Sequence, residues 1–392
     1  MGGKIRVGVI GCGNISGIYL ENLKRFDVTE VAACADLVMK KAKTKAEEFS
    51  VPKACTVDEL LNDPEIGIVV NLTTPKAHAE VALKALAKGK SVYNEKPLAL
   101  SLEQGRKILA LARKRKLLVG CAPDTFMGAG IQTCRKLIDD GAIGKPVAAT
   151  AFMMCHGHES WHPDPEFYYD VGGGPMFDMG PYYLTALVNL IGPVRRVCGV
   201  ARAAFPERTI TSAAKRGRKI RVKTPTHIAG TIEFSNNAVG TIITSFDVWH
   251  HTLPHIEIHG TLGSLQVPDP NCFGGPVRMR RAEDRKWLNV PLSHRYAKNS
   301  RGVGVADMAR VLGAGHNPIA SSQSGLCPKP PKHRANGALA LHVLETMHAF
   351  LRASKTGKNV AIRSGCDRPG PMNADAEEWK LIPGKKKQPE RR

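Results

Sequence analysis

Long apolar runs are missing from this 392-residue chain: none reaches the roughly 18 residues that a membrane-spanning helix needs. Paired cysteine motifs are missing too. The ten cysteines include no C-x-x-C, which removes the common zinc and redox spacings. Several of them (Cys34, Cys155, Cys198) sit in apolar segments, where a reduced thiol behaves as a small hydrophobe. The reading is free thiols, no metal centre and a reducing compartment. The start, MGGKIRVGVIGCG, enters a strand at once and leaves no room for a secretory signal. Gly2 does not open a myristoylation motif, because Arg6 stands where that motif wants Ser or Thr. A cytoplasmic protein without a membrane partner is the expectation.

Acidic residues are scarce against basic ones, 35 to 56, for a formal charge of +21. Such an excess raises the question of nucleic acid. The positive residues are scattered, however, over helix faces (Arg106, Lys107, 113–116), a loop at 215–223 and the tail KKKQPERR. No zinc-finger or RNA-binding signature accompanies them. The charge is read as solvated surface with a general attraction for anions, not as a specific nucleic-acid site.

What is present begins with alternation. Over residues 4 to 122, β-branched runs at 5–10, 28–35, 66–72, 91–93 and 117–121 alternate with helical periodicity at 15–25, 38–49, 75–88 and 101–115. Strand–helix alternation of this kind predicts a doubly wound parallel sheet. After 123 the pattern changes. A helix at 130–139 and a strand at 146–155 lead to a Gly-rich turn and a helix from 176 to 190. Strands follow at 194–203, 227–234, 238–248, 255–259 and 264–267, with Asn236-Asn237 as a hairpin turn. An α+β unit with a largely antiparallel open sheet is expected over 123–365, covered by helices near 305–312 and 337–353. The stretch 314–334 reads as a surface insertion, and 366–392 as a polar, basic tail. Length alone suits two domains, divided here at about residue 122.

The strongest local signal is KIRVGVIGCGNIS. Gly11 and Gly13 follow an apolar strand and open a helix, one for the tight turn and one for close approach to a pyrophosphate. Ser16 replaces the third glycine of G-x-G-x-x-G. Asp36, at the end of the second strand, compensates: a carboxylate there accepts from a ribose diol and repels a 2′-phosphate. The pattern favours NAD, while Lys40 and Lys41 leave NADP open.

At Tyr93-Asn94-Glu95-Lys96-Pro97, preceded by Gly89-Lys90-Ser91-Val92, the chain resembles the Gfo/Idh/MocA oxidoreductases. Thr74-Pro75-Lys76-Ala77-His78 is similar to that family's T-P-x-x-H segment. The run from Gly172 to Tyr182 resembles its G-G-G…D-x-G-x-H helix, with Tyr182 where many members carry His. The resemblance spans about residues 4 to 363. It implies cofactor contacts at Gly11, Gly13, Asn14, Ile15, Asp36, Thr73, Thr74, Pro75, His78, Glu95 and Lys96. It also implies hydride transfer between NAD(P) and a hydroxyl or ketone carbon of a sugar, polyol or glycoside.

The chemistry agrees with that reading. Oxidising a carbinol needs a group that takes the hydroxyl proton. Asp178 and Tyr182, four apart, would share one helix face. Lys96 would lie at the carboxyl end of a parallel strand, where ligands of such sheets bind. Lys96 and Tyr182 are assigned the acid/base role, with the lysine lowering the phenol's pKa, and Asp178 the orienting role. The alternatives are an ion pair of Lys96 with Glu95 and simple packing of Tyr182. The segment His156-Gly157-His158-Glu159-Ser160-Trp161-His162 offers rings and polar edges for a carbohydrate. His156, His158, Trp161, His162 and Asp124 are therefore candidate substrate contacts. A homo-oligomer is expected. Rival functions are an NAD-dependent glycoside-cleaving enzyme working by transient oxidation, and a non-catalytic NAD or sugar sensor.

Overall fold

The computed structural model describes residues 3–313 and 332–374; the greater part of the 314–334 stretch and of the C-terminal tail lies outside the described residues. The first half forms six strands: β1 (Ile5–Ile10), β2 (Thr29–Ala35), β3 (Lys53–Cys55), β4 (Ile68–Asn71), β5 (Ser91–Asn94) and β6 (Val119–Cys121). All pair in parallel, in the order β3-β2-β1-β4-β5-β6, the doubly wound dinucleotide-binding order. The side chains of β4, β5 and β6 are buried on both faces, which is why such strands read as continuous apolar runs. Between them run α1 (Ser16–Leu23), α2 (Met39–Glu48), α3 (Val57–Asn62), α4 (His78–Ala87) and α5 (Leu102–Arg115). The short β3 and α3 were not expected. Only three residues long, β3 carries no period; α3 is opened by a capping box of Thr56 and Glu59.

The second half opens with α6 (Ala129–Asp139), β7 (Pro146–Met154), α7 (Pro175–Asp178), α8 (Gly180–Leu190), β8 (Val194–Arg202), β9 (Glu207–Thr209) and β10 (Lys219–Arg221). It continues through β11 (His227–Phe234), β12 (Val239–Ser245), β13 (Ile256–Gly260), β14 (Gly263–Val267), β15 (Val277–Arg281) and β16 (Leu288–Val290). The chain closes on α9 (Val303–Gly313), α10 (Gly337–Thr356) and β17 (Val360–Ala361). A nine-stranded sheet runs β16-β15-β14-β13-β7-β12-β11-β8-β17. It is antiparallel except at β7–β12. The expected hairpin joins β11 to β12, with Asn237 in the left-handed region at φ 68°. No helix among the described residues is long and apolar enough to cross a membrane.

Two expectations about helices are corrected. The helix expected over 176–190 is broken at Met179 into α7 and α8; Gly180 and Pro181, both poor helix-interior residues, follow the break. The helix near 305–312, expected to cover the antiparallel sheet, packs as α9 against α1, β1 and β6 of the parallel one. Its apolar residues give a stripe without saying which sheet receives it. By contrast α10 does lie on the antiparallel sheet. Gly199 and Gly230 face each other across β8 and β11, and a Cβ on either would press on the Phe350 ring. The paired glycines make the hollow that Phe350 fills, with no exposure of its side chain. Phe350→Ala should lower unfolding stability by about 3–5 kcal/mol, since the hollow cannot close; denaturant titration against wild type measures it.

Candidate active site

The carboxyl ends of β1, β2, β4 and β5 converge on one crevice. Gly11 has φ 101°, and a Cβ there would lie 2.6 Å from the Leu72 carbonyl carbon, so only glycine fits the turn. A Cβ on Gly13 would meet nothing within 4 Å. This open ground sits before the N-terminus of α1, with Asn14 exposed and Ile15 half-buried. Ser16 turns inward and donates to the Gly13 carbonyl (2.6 Å). Gly17 takes over the close-packing place, directly against the Phe49 ring. At the end of β2, Asp36 accepts from the Cys12 amide (2.8 Å) and the Val38 amide (2.9 Å). Its carboxylate is thereby fixed beside the glycine turn. Glycine turn, open ground and carboxylate together fit a dinucleotide.

Two loops close the crevice. Buried Asn71 and Asn94, neighbours on β4 and β5, are hydrogen-bonded to each other (3.0 Å). Asn71 also accepts from the Thr73 hydroxyl (2.7 Å), and Asn94 donates to the Leu98 carbonyl (3.1 Å). Thr73, Thr74 and Pro75 stand partly or fully exposed at the crevice edge. His78, expected on the cofactor, is placed elsewhere. It is 1 % exposed, and its ring nitrogens face the carbonyls of Pro97 (2.7 Å) and Thr73 (3.0 Å). It braces one loop against the other. Glu95 is also turned inward, accepting from the Tyr19 hydroxyl (2.8 Å) and the Lys96 amide (2.9 Å). The ion pair considered between Lys96 and Glu95 does not form.

The Lys96 ammonium instead reaches across to the second half. It donates to the Asp178 carbonyl (2.7 Å) and to Asp178 Oδ1 (2.8 Å). Burial pulls the Lys96 amine down, but Asp178 and Tyr182 carry it net above its ordinary value. Burial pushes the Asp178 carboxyl up, and Lys96 together with a hydrogen bond from His158 brings it down to about 2. The pair therefore stays charged across all ordinary pH: Asp178 is lost only as pH falls towards its lowered value, Lys96 only as pH rises past its raised one.

Despite the break at Met179, Tyr182 remains beside the pair. Lys96 Nζ lies 5.4 Å from the centre of its ring, over the face and not hydrogen-bonded to the hydroxyl. Burial raises the phenol's pKa, and Lys96 and Arg301 offset only part of that. The expectation that the lysine leaves the phenol with a lowered value is thus corrected: desolvation outweighs two cations.

The histidine segment is divided. His158 Nε2 meets Asp178 Oδ2 at 3.3 Å, and its ring packs edge-on against Trp161, Tyr168 and Phe246. Trp161 is 61 % exposed at the mouth. His162 caps the Asp164 amide (3.0 Å). His156 points away and stacks on Trp249. Asp124, expected to touch substrate, is buried and accepts from the Gly302 (2.8 Å) and Gly304 (3.0 Å) amides. Among the described residues no cluster of His, Cys, Asp and Glu is arranged to hold a metal ion.

Sequence reasoning missed Arg301. Asn22 donates to the carbonyls of Asn299 (3.0 Å) and Arg301 (2.9 Å), Asp124 pins the next turn, and Asn271 accepts from the guanidinium (2.9 Å). So held, the Arg301 guanidinium is close enough to the Tyr182 phenol to favour its anion. The glycines 302 and 304 around a helix start were the only signal.

Comparison with known proteins agrees with this geometry. Residues 5–122 match the family described as "Oxidoreductase family, NAD-binding Rossmann fold", and residues 131–266 match "GFO/IDH/MocA C-terminal domain". The chain is 25% identical over 374 residues to 1,5-anhydro-D-fructose reductase of Ensifer adhaerens, covering 92% of this chain and 99% of the relative. It is 24% identical over 262 residues to myo-inositol 2-dehydrogenase of Thermotoga maritima, covering 67% and 74%. Among solved structures, levoglucosan dehydrogenase in complex with NADH superposes with a TM-score of 0.74 at 19% identity, covering 92% of this chain and all of that one.

Two measurements check the site's electrostatics. In Asp178→Asn, burial becomes the dominant influence on Lys96, so an amine-directed reagent should label it at pH values where the wild-type amine is inert. Burial raises Asp124 to about 6 against amide hydrogen bonds that lower it. Its contribution to stability is therefore greatest at acid pH and declines as pH rises through about 6. Asp124→Asn should flatten that part of the stability-versus-pH curve.

Proposed function

The chain belongs to the GFO/IDH/MocA family and is an NAD-binding oxidoreductase, and from that premise we propose that its reaction is the interconversion of a ring hydroxyl and a ketone on a sugar or polyol. The observation that carries this reading is the Lys96–Asp178 contact at 2.8 Å. It puts an amine, a carboxylate and a phenol at the edge of the dinucleotide crevice. The names of three relatives, an anhydrofructose reductase, a myo-inositol dehydrogenase and a levoglucosan dehydrogenase, support the substrate class.

When bound, NAD supplies the hydride acceptor or donor. Gly11, Gly13, Asn14 and Ile15 would hold its pyrophosphate, Asp36 its adenosine ribose, and Thr73 to Pro75 its far end. The remaining work falls to this chain's side chains. A lysine ammonium has three N–H donors, and Asp178 takes two of those of Lys96. The third is left for the substrate oxygen. In the reducing direction the neutral phenol of Tyr182 gives its proton to the nascent alkoxide. In the oxidising direction it must first lose that proton, and Lys96 and Arg301 stabilise the anion. Asp178 orients Lys96, and His158 orients Asp178. We also place the protein in the cytoplasm as two domains meeting near residue 122, and as a homo-oligomer. Nine cysteines described as free thiols support the reducing compartment.

Lys96→Met should lower kcat by about 10²–10⁴-fold while NADH affinity, followed by fluorescence, stays within about threefold. Unchanged turnover of every sugar and inositol in a panel would remove the assignment. Because the phenol's pKa is raised, kcat/KM for alcohol oxidation should climb with pH on the alkaline side, and Tyr182→Phe should abolish that limb.

A further inference from the structure

A cleft of about 420 Å³ opens between α5 of the first half and α10 and β17 of the second. That volume is within the usual range of small-molecule sites. Arg106 lines it from α5, Glu345 and Arg352 from α10, and Asn359 and Arg363 from either side of β17. None of these residues is among those that form the dinucleotide crevice or the Lys96–Asp178 contact.

The charges of this lining are unbalanced. Glu345 is its one carboxylate, and it is already engaged. Only 2 % exposed, it accepts from the Ser364 amide (2.7 Å) and stands 4.0 Å from the Arg106 guanidinium. Burial pushes its carboxyl up, but Ser364, the Arg363 backbone and Arg106 bring it net below its ordinary value. It therefore counts as one full negative charge against three arginines. Arg352 and Arg363 are exposed, and neither side chain makes an ion pair or hydrogen bond among the described residues. Elsewhere the chain answers its arginines with acids: Arg195 and Arg196 converge on Glu233, and Arg208 lies between Glu159 and Asp247. A concave wall with an excess of two positive charges attracts a doubly charged anion.

Geometry and charge select among anions. Guanidinium forks match the spacing of phosphate oxygens and give them paired hydrogen bonds. A phosphate monoester carries nearly two negative charges at neutral pH, which is the excess the cleft offers, whereas a carboxylate brings one. The side-chain amide of Asn359 has two N–H donors for a further oxygen. We propose that this cleft is a binding site for the phosphate group of a small molecule. Arg106 grips it from the first half and Arg352 and Arg363 from the second, so that the ligand clamps α5 to α10. The hydride-transfer reading plays no part in this inference.

Calorimetric titration and thermal melting of the full-length protein test it, at constant ionic strength and with NADH saturating, so that the pyrophosphate ground is occupied. The probes are inorganic phosphate and glycerol 3-phosphate, with glycerol, sodium chloride and a short DNA duplex as controls. At least one of the two phosphates should bind with a Kd of about 1 mM or tighter and raise the melting temperature. Arg352→Gln and Arg363→Gln should each weaken that binding about tenfold. Both positions are exposed, so neither change should lower the melting temperature of the protein without phosphate. Arg352→Lys, which keeps the charge and loses the fork, should cost less than Arg352→Gln. Inorganic phosphate binding at least as tightly as the ester assigns the site to free phosphate; tighter binding of the ester assigns it to an organic phosphate. Either result supports the proposal. Binding of neither phosphate, binding that survives both Gln substitutions, or a response that sodium chloride reproduces overturns it. So does binding of the duplex without binding of the small phosphates.

Discussion

A largely buried ammonium and a largely buried carboxylate, Lys96 and Asp178, hold the two halves of this molecule in working relation. Neither tolerates its surroundings alone, because burial disfavours both charges. Each is kept ionised by the other, and removing one partner of such a pair leaves an uncompensated charge. The lysine comes from the end of a parallel strand. The aspartate ends the short helix α7 after the Gly-rich turn, and presents its backbone carbonyl as well as its side chain. That double grip fixes the turn and, through it, where Tyr182 begins α8.

Around this pair the structure devotes a second layer of polar groups to position, with no contact to the crevice. The Asn71–Asn94 pair and His78 tie the loops after β4 and β5 together. Asn22 and Asp124 tie the segment before α9 to the parallel sheet, which delivers Arg301 to the phenol. Glu159, Arg208 and Asp247 do the same for the histidine segment. These groups are buried and tied to one another or to backbone by hydrogen bonds, so they specify geometry at a stated place. They also account for residues that look catalytic in the sequence and are spent on architecture.

The helix α9 shows how interlocked the halves are. It arrives after the antiparallel strands yet covers the parallel sheet beside α1. A cut near residue 122 would therefore strip that sheet of part of its apolar cover.

The chain by itself determined the parallel sheet, because short continuous β-branched runs alternate with amphipathic helices, and it determined the glycine turn with Asp36, because steric and charge requirements there are local. It also made Lys96, Asp178 and Tyr182 legible as a set, since each stands in a short motif whose chemistry is explicit. Three matters were left to tertiary structure. Which histidine meets Asp178 depends on how the 155–162 loop folds over Arg208, some fifty residues away in sequence. Whether the phenol is driven up or down depends on how much water the surrounding helices exclude, which no spacing records. And whether an acid such as Asp124 faces a ligand or backbone amides depends on a segment nearly 180 residues later. Local propensity and periodicity act over a few residues; desolvation and hydrogen-bond satisfaction are set by whatever the rest of the chain brings alongside.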